Sequence, residues 1–232
     1  MNILYLHGMG SGSQTSRVAN KLRTELPKMQ FTKGGEPCTL NLICETYDFD
    51  PEVATQQIAG WVEAYQPVLV IGESMGSIHA LGIQGIPHIY ISPALNYDRG
   101  TEFFKPLMTL ANLIGYHYTS QRGAQRQLID GNPELLAKFR PMIQSYKEAI
   151  LSSPQRDPSF AFFGRHDKYM MSGIVSVKEY ERLYGNSYVV HEGGHIFDSR
   201  YVKSRLVPKI AEMLGLEVVR PPRGRRGNQK QS

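Results

Sequence analysis

The 232-residue sequence predicts an α/β fold, a mostly parallel sheet with helices on both faces, and two observations carry that expectation. Six short runs are apolar at consecutive rather than alternate positions: Ile3–Leu6, Leu40–Cys44, Val68–Ile71, His88–Ile91, Phe160–Phe163 and Tyr188–Val190. Strands buried on both faces have this character. Between them lie stretches with apolar residues at helical spacing, and parallel neighbours need such crossovers.

Taken in order, the first run leads into Tyr5-Leu6-His7-Gly8-Met9-Gly10-Ser11-Gly12-Ser13, a loop with three glycines. Gln14–Leu26 then places Val18, Leu22 and Leu26 on one helical face. Asp50-Pro51 pairs a capping residue with proline at the first helical position, and Ile58, Trp61, Val62 and Tyr65 follow at helical spacing as its buried face. Val68–Ile71 ends in Gly72-Glu73-Ser74-Met75-Gly76 and continues into a helix through Ala80 and Leu81. A closing helix is expected over Tyr201–Leu214, bent at Pro208.

One connection is long. More than sixty residues separate Ile91 from Phe160, where a crossover needs only about a dozen. The interval holds an apolar helical pattern over Thr101–Ile114 and a second starting at Asn132-Pro133-Glu134 and running past Tyr146. Its length predicts a helical cap at about 96–155, inserted over the active edge; the alternative is a pair of helices that extend the core. No internal repeat is present, and residues 1–219 are expected to form one domain.

Composition is that of an ordinary globular domain, with 41% apolar and 20% charged residues. The net charge of +5 resides in residues 220–232, which hold four Arg and one Lys and no acid. Taking those five from 26 basic residues leaves 21 against 21 acidic ones, so the body is neutral. The tail is rich in glycine and proline and is expected to be disordered. It is the one part suited to nucleic acid or an anionic surface, and nothing else in the chain suggests such a partner. Cys38 and Cys44 lack metal-ligand spacing and are too few for a disulfide framework. Met1 leads almost directly into a strand, and no apolar run reaches the length of a membrane span. A cytoplasmic protein is expected. Its oligomeric state is not legible.

Gly72-Glu-Ser74-Met-Gly76 between a buried strand and a helix is the pattern of a nucleophile elbow. The turn is tight, so the neighbours of the serine are small, and its hydroxyl is held toward the substrate. The bland reading is a glycine-rich turn in which Ser74 caps the helix. A serine hydroxyl needs a base, and the base needs an acid to orient it. The elbow therefore predicts an acid and then a histidine, each after a later strand. Phe163 is followed by Gly164-Arg165-His166-Asp167, and Val190 by His191-Glu192-Gly193-Gly194-His195-Ile196-Phe197. Asp167 is the candidate acid, since Asp157 precedes its strand and Asp198 follows the histidines too closely. His195 is the candidate base, with His191 as the alternative. His79 reads as a helix residue packed behind the elbow, and His88, His117 and His166 as structural or surface residues.

Acyl transfer also creates an oxyanion that backbone N–H groups must hold. One donor is the residue after the nucleophile, Met75. The second falls in the first loop, at Met9 by position, with Gly8 and Gly10 allowing close approach. A dinucleotide-binding reading of that loop fits less well. Gly8-x-Gly10-x-Gly12 places the third glycine one residue early, and no acidic residue stands at the expected distance.

With Leu-His-Gly-x-Gly, Gly-Glu-Ser-Met-Gly, Gly-Arg-His-Asp and Glu-Gly-Gly-His-Ile-Phe in this order, the chain resembles the α/β-hydrolases, and more closely their compact bacterial esterases and thioesterases. The resemblance covers roughly Asn2 to Leu216 and is weak through 96–155. It implies a six-stranded sheet in the order 2-1-3-4-5-6, a Ser74–Asp167–His195 triad, and neither metal nor organic cofactor. The expected activity is hydrolysis of a small-molecule carboxylic ester or acyl thioester. The fold also hosts non-hydrolytic members, so a binding module for a small molecule or protein is the alternative. Amidase, lactonase and carbon–carbon hydrolase chemistry use the same triad, and the pocket decides among them.

Overall fold

The computed structural model describes residues 1–98, 126–130 and 132–219. Six parallel strands form the main sheet: β1 (Asn2–Leu6), β4 (Asn41–Ile43), β5 (Leu69–Glu73), β6 (His88–Ile91), β7 (Ser159–Gly164) and β8 (Tyr188–His191). Their spatial order is β4-β1-β5-β6-β7-β8, which in chain order is 2-1-3-4-5-6. The order reverses between β1 and β5, so the loops after these two strands flank one crevice at the carboxyl edge.

Alternate residues of each strand feed separate cores, and this explains the unbroken apolar runs. Ile3, Tyr5, Leu69, Ile71, Ile89, Ile91 and Phe162 face one side, where α1 (Arg17–Glu25) and the last helix pack. Leu4, Leu6, Val70, Tyr90, Ala161 and Phe163 face the other. That side is covered by α2 (Pro51–Tyr65), α3 (Gly76–Leu81), α4 (Pro133–Ser152) and, after the four-residue α5 (Lys168–Met171), by α6 (Val177–Tyr184).

Local chemistry sets the helix ends. Helix α1 starts three residues later than Gln14, because Ser16 Oγ accepts the Ala19 N–H at 3.2 Å and fixes the N-cap there. Asp50 caps α2 through the Glu52 N–H at 2.9 Å. Ile58 and Ala54 are its buried residues, whereas Trp61, Val62 and Tyr65 are only half-buried at the margin of the layer. The closing helix is α7 (Ser199–Tyr201), a π-helical turn at Val202–Leu206, and α8 (Val207–Leu214). Pro208 has no N–H to donate, and just before it the Val207 N–H reaches five residues back to Val202 O.

The expected helix at Thr101–Ile114, His117 and the tail from residue 220 lie outside the described residues. The helix expected from Asn132 is α4, and through Leu136, Phe139, Ile143 and Ile150 it belongs to the layer that covers the sheet. A three-stranded antiparallel sheet, β3-β2-β9, was not expected; it joins β2 (Gln30–Lys33), β3 (Glu36–Cys38) and β9 (Glu217–Val219). Among the described residues no helix is long and apolar enough to cross a membrane.

Candidate active site

Ser74 stands between β5 and α3 with φ of 51°, a left-handed conformation that serine adopts at a cost of about 1–3 kcal/mol. The surroundings enforce it. Its N–H donates to Ile91 O at 2.9 Å, and its carbonyl accepts from Ser77 and Ala94 at 3.1 and 3.2 Å. At Gly76 a Cβ atom would lie 2.1 Å from the Leu6 carbonyl oxygen, so only glycine permits the start of α3 to approach β1.

The hydroxyl belongs to a hydrogen-bonded chain. Ser74 Oγ lies 2.8 Å from His195 Nε2, and His195 Nδ1 lies 2.8 Å from Asp167 Oδ2. Asp167 is buried at the N-cap of α5, where Oδ1 accepts the Tyr169 N–H at 2.9 Å. One oxygen is thus fixed by the backbone and the other faces the imidazole. Because the carboxylate only accepts, Nδ1 carries the proton and Nε2 is the acceptor toward Ser74. Tyr169 packs edge-on against the ring of His195 at 4.5 Å. The loops after β7 and β8 are tied together, since Arg165 N–H donates to His191 O at 2.8 Å and His166 N–H to Gly193 O at 2.9 Å.

The alternatives fall elsewhere. His191 is buried below the loop, accepts the Gly193 N–H at Nδ1 (3.0 Å), and packs against Phe197 and Tyr201. Burial lowers its pKa. Asp198 caps α7 and pairs with Arg200, and Asp157 accepts from Gly85. His79 is buried behind the elbow and His88 within the sheet, while His166 is exposed beside Glu192.

The first loop passes directly beside the serine. A Cβ at Gly8 would lie 3.3 Å from Ser74 Cβ. The Gly8 carbonyl accepts from Ser11 N–H at 3.1 Å and from His7 Nδ1 at 2.9 Å. Desolvation lowers the pKa of His7 to about 4, so it is a neutral ring donating through Nδ1. Its own carbonyl accepts a hydrogen bond from Tyr47 OH. Gln127 braces the loop from outside: its Oε1 accepts the Gly10 N–H at 3.1 Å and its N–H donates to Ser11 O at 2.7 Å. Among the described residues, the amides of Met9 and Met75 donate to no backbone carbonyl.

Two contributors had escaped the sequence reading. Gln127 has no signal, since its partners in the first loop lie more than a hundred positions away in the chain. Glu73, whose Oε2 accepts the Tyr5 OH at 2.7 Å beside Ser74, has one: it is the single charged residue closing the apolar run from Val68.

Solved structures share this architecture over most of both chains. A monoacylglycerol lipase from Paleococcus ferrophilus matches with TM-score 0.57 and 12% identity, over 92% of this chain and 94% of its own. An esterase from Pyrococcus furiosus matches with TM-score 0.53 and 19% identity, over 92% and 81%. An S-formylglutathione hydrolase from Staphylococcus aureus matches with TM-score 0.52 and 12% identity, over 92% and 80%. No family model matches the chain, and no curated protein matches it in sequence. The fold is that of the α/β-hydrolases.

Proposed function

We propose that the protein is a serine hydrolase that cleaves a carboxylic ester or acyl thioester through an acyl-enzyme on Ser74. The observation that carries this reading is the unbroken chain from Ser74 Oγ through His195 to the buried Asp167. The similar lipase, esterase and S-formylglutathione hydrolase put ester and thioester cleavage within the range of the fold.

In this mechanism Ser74 Oγ attacks the acyl carbonyl carbon and its proton passes to His195 Nε2. Asp167 holds the Nδ1–H tautomer and stabilises the imidazolium. The amides of Met9 and Met75 receive the oxyanion, each worth about 3 kcal/mol in the transition state. Collapse of the intermediate expels the alcohol or thiol, which takes the proton from His195. Water then gives its proton to His195 as its oxygen attacks the acyl-enzyme, and that proton passes to Ser74 Oγ as its bond to the acyl carbon breaks and the acid leaves.

The test is turnover of p-nitrophenyl esters and acyl-CoAs of increasing chain length by wild type and Ser74→Ala. The expected result is hydrolysis by wild type and a loss on the order of 10⁴-fold or more in kcat for the variant. Equal activity in the two would sink the proposal, and a folded protein that turns over none of these substrates would favour the binding-module reading.

A further inference from the structure

Lys147 is buried in α4, yet acyl transfer at Ser74 gives it no task. An ammonium group in such a place costs stability unless it is paired and hydrogen-bonded. Its Nζ stands 2.7 Å from Glu179 Oε1 of α6 and donates to Asn96 Oδ1 at 2.9 Å. Lysine only donates and an amide oxygen only accepts, so Lys147 settles which way the Asn96 amide faces. The amide nitrogen of the buried Asn96 is thereby turned to the other side, where Nδ2 donates to Gly173 O at 3.0 Å. Its backbone N–H donates to the next carbonyl, Ile174 O, at 3.1 Å.

These bonds join the segment after β6 to the far end of the loop that carries the acid. On one side, Ala94, two residues before Asn96, donates its N–H to the carbonyl of Ser74 at 3.2 Å. On the other, Gly173 N–H donates to Met170 O at 3.1 Å and Val175 N–H to Tyr169 O at 3.2 Å. Tyr169 gives its own N–H to Asp167 Oδ1 and packs its ring against His195. None of the four residues of α5 is fully buried, and Gly173 turns at φ of 74° with no side chain to hold it. Ile174 and Val175 are buried beyond that turn, but apolar burial has no direction. Asn96 supplies the directional tie between this loop and the nucleophile's side of the crevice.

We infer that Asn96 is a positioning residue for acyl transfer: by holding the Gly173 carbonyl it fixes the acid-bearing loop against the nucleophile's turn, so that Asp167 and Tyr169 keep His195 in line with Ser74. This rests on the reading of Ser74 as a nucleophile, and it assigns to Asn96 an effect on the chemical step rather than on substrate affinity. A misplacement of about 1 Å in such an array costs on the order of 100-fold in rate.

The experiment compares Asn96→Leu, which loses both amide groups, with Asn96→Asp, which keeps the shape and the acceptor for Lys147 but has no N–H for Gly173. Active sites are titrated with a fluorophosphonate, and kcat and KM are measured on a short p-nitrophenyl ester per titrated site. Alongside, proton NMR follows the His195 Nδ1–H, assigned by its absence from His195→Gln; a hydrogen bond to a carboxylate moves this signal downfield. The expected result in both variants is a fall of about 30- to 100-fold in kcat with KM within about threefold, and an upfield displacement of the signal. A role confined to stability would lower the melting temperature and leave kcat per titrated site unchanged, and that result overturns the inference. So does a rise in KM at constant kcat, or a fall in kcat with the signal in its wild-type place. Should Asn96→Leu not fold, Asn96→Asp, which retains its contact with Lys147, must meet the same criteria alone. Wild type that neither labels nor turns over ester removes the hydrolase reading and this inference together, a result seen before any variant is made. Failure confined to the Asn96 variants removes the inference alone.

Discussion

His195, at the carboxyl edge of the sheet, and the histidines buried elsewhere in the fold are treated in opposite ways. His195 has a partner at each ring nitrogen, Ser74 Oγ and Asp167 Oδ2, and its side chain keeps 19% of its surface open. Behind the elbow, His79 is buried against Tyr47 and Phe139, and neither of its nitrogens has a partner among the described residues. Desolvation lowers the pKa of His79 to about 3, and those of His7 and His88 to about 4. The residue type is the same throughout. What marks out His195 is a base's requirement, a carboxylate on one side and a hydroxyl on the other, with access to solvent.

The largest effects fall at the edge. His195→Gln and Asp167→Asn are each expected to lower kcat by on the order of 10⁴-fold, the first by removing the base and the second by losing its tautomer. His191→Gln, four residues earlier at the end of β8, is expected to keep kcat per titrated site within about tenfold. Its loss is one of stability, about 1–2 kcal/mol, because the ring that accepts the Gly193 N–H and packs against Phe197 and Tyr201 is gone. Steady-state kinetics beside urea unfolding separate the two; if His191→Gln were as inactive as His195→Gln, the comparison would break.

Next comes the turn that presents the serine. Gly76→Ala places a methyl group against the Leu6 carbonyl, so the chain must move at β1 or α3. A loss of more than about 3 kcal/mol in urea unfolding is expected, and a variant as stable as wild type would mean that this packing is not as tight as described.

The smallest effect concerns the buried layer and its response to acid. His7, His79 and His88 have lowered folded pKa values, so below an unfolded value of about 6.5 the unfolded chain binds protons that the folded chain does not. Their contribution to stability is complete above pH 6.5 and is lost as pH falls toward about 4. Each such histidine contributes a slope of up to about 1.4 kcal/mol per pH unit in that window. His79→Phe should reduce the slope measured by urea unfolding between pH 5 and 6.5 by about one histidine's share. An unchanged slope would show that His79 takes up a proton while folded.

Much of this was legible in the sequence because the constraints are local. Two-faced burial writes itself as consecutive apolar residues, and all six strands of the main sheet were found from it. Their order came through the resemblance carried by four motifs, and the strand pairing agrees with it. Ser74, Asp167 and His195 were singled out because each follows a strand end, and the carboxyl edge brings the three into one hydrogen-bonded chain. Between His195 and His191 the sequence favoured His195 and left His191 open: His191 ends β8, His195 follows four residues later, and the path of Gly193-Gly194 decides which ring reaches Ser74. The small sheet escaped because its strands have three or four residues and little apolar content, although Gly34-Gly35, both at positive φ, marks its hairpin. Glu73 was visible as a charge ending an apolar run, but its partners Tyr5 and Ser16 become neighbours only when β1 pairs with β5.

The central claim is that Ser74 is a nucleophile activated by its hydrogen-bonded chain. It is tested most directly by labelling the folded protein with a fluorophosphonate and mapping the modified peptide, in wild type and in Ser74→Ala. The account predicts a single adduct on Ser74 in wild type and none in the variant. Adduct formation on another residue, or no adduct in a folded wild-type protein, would contradict it.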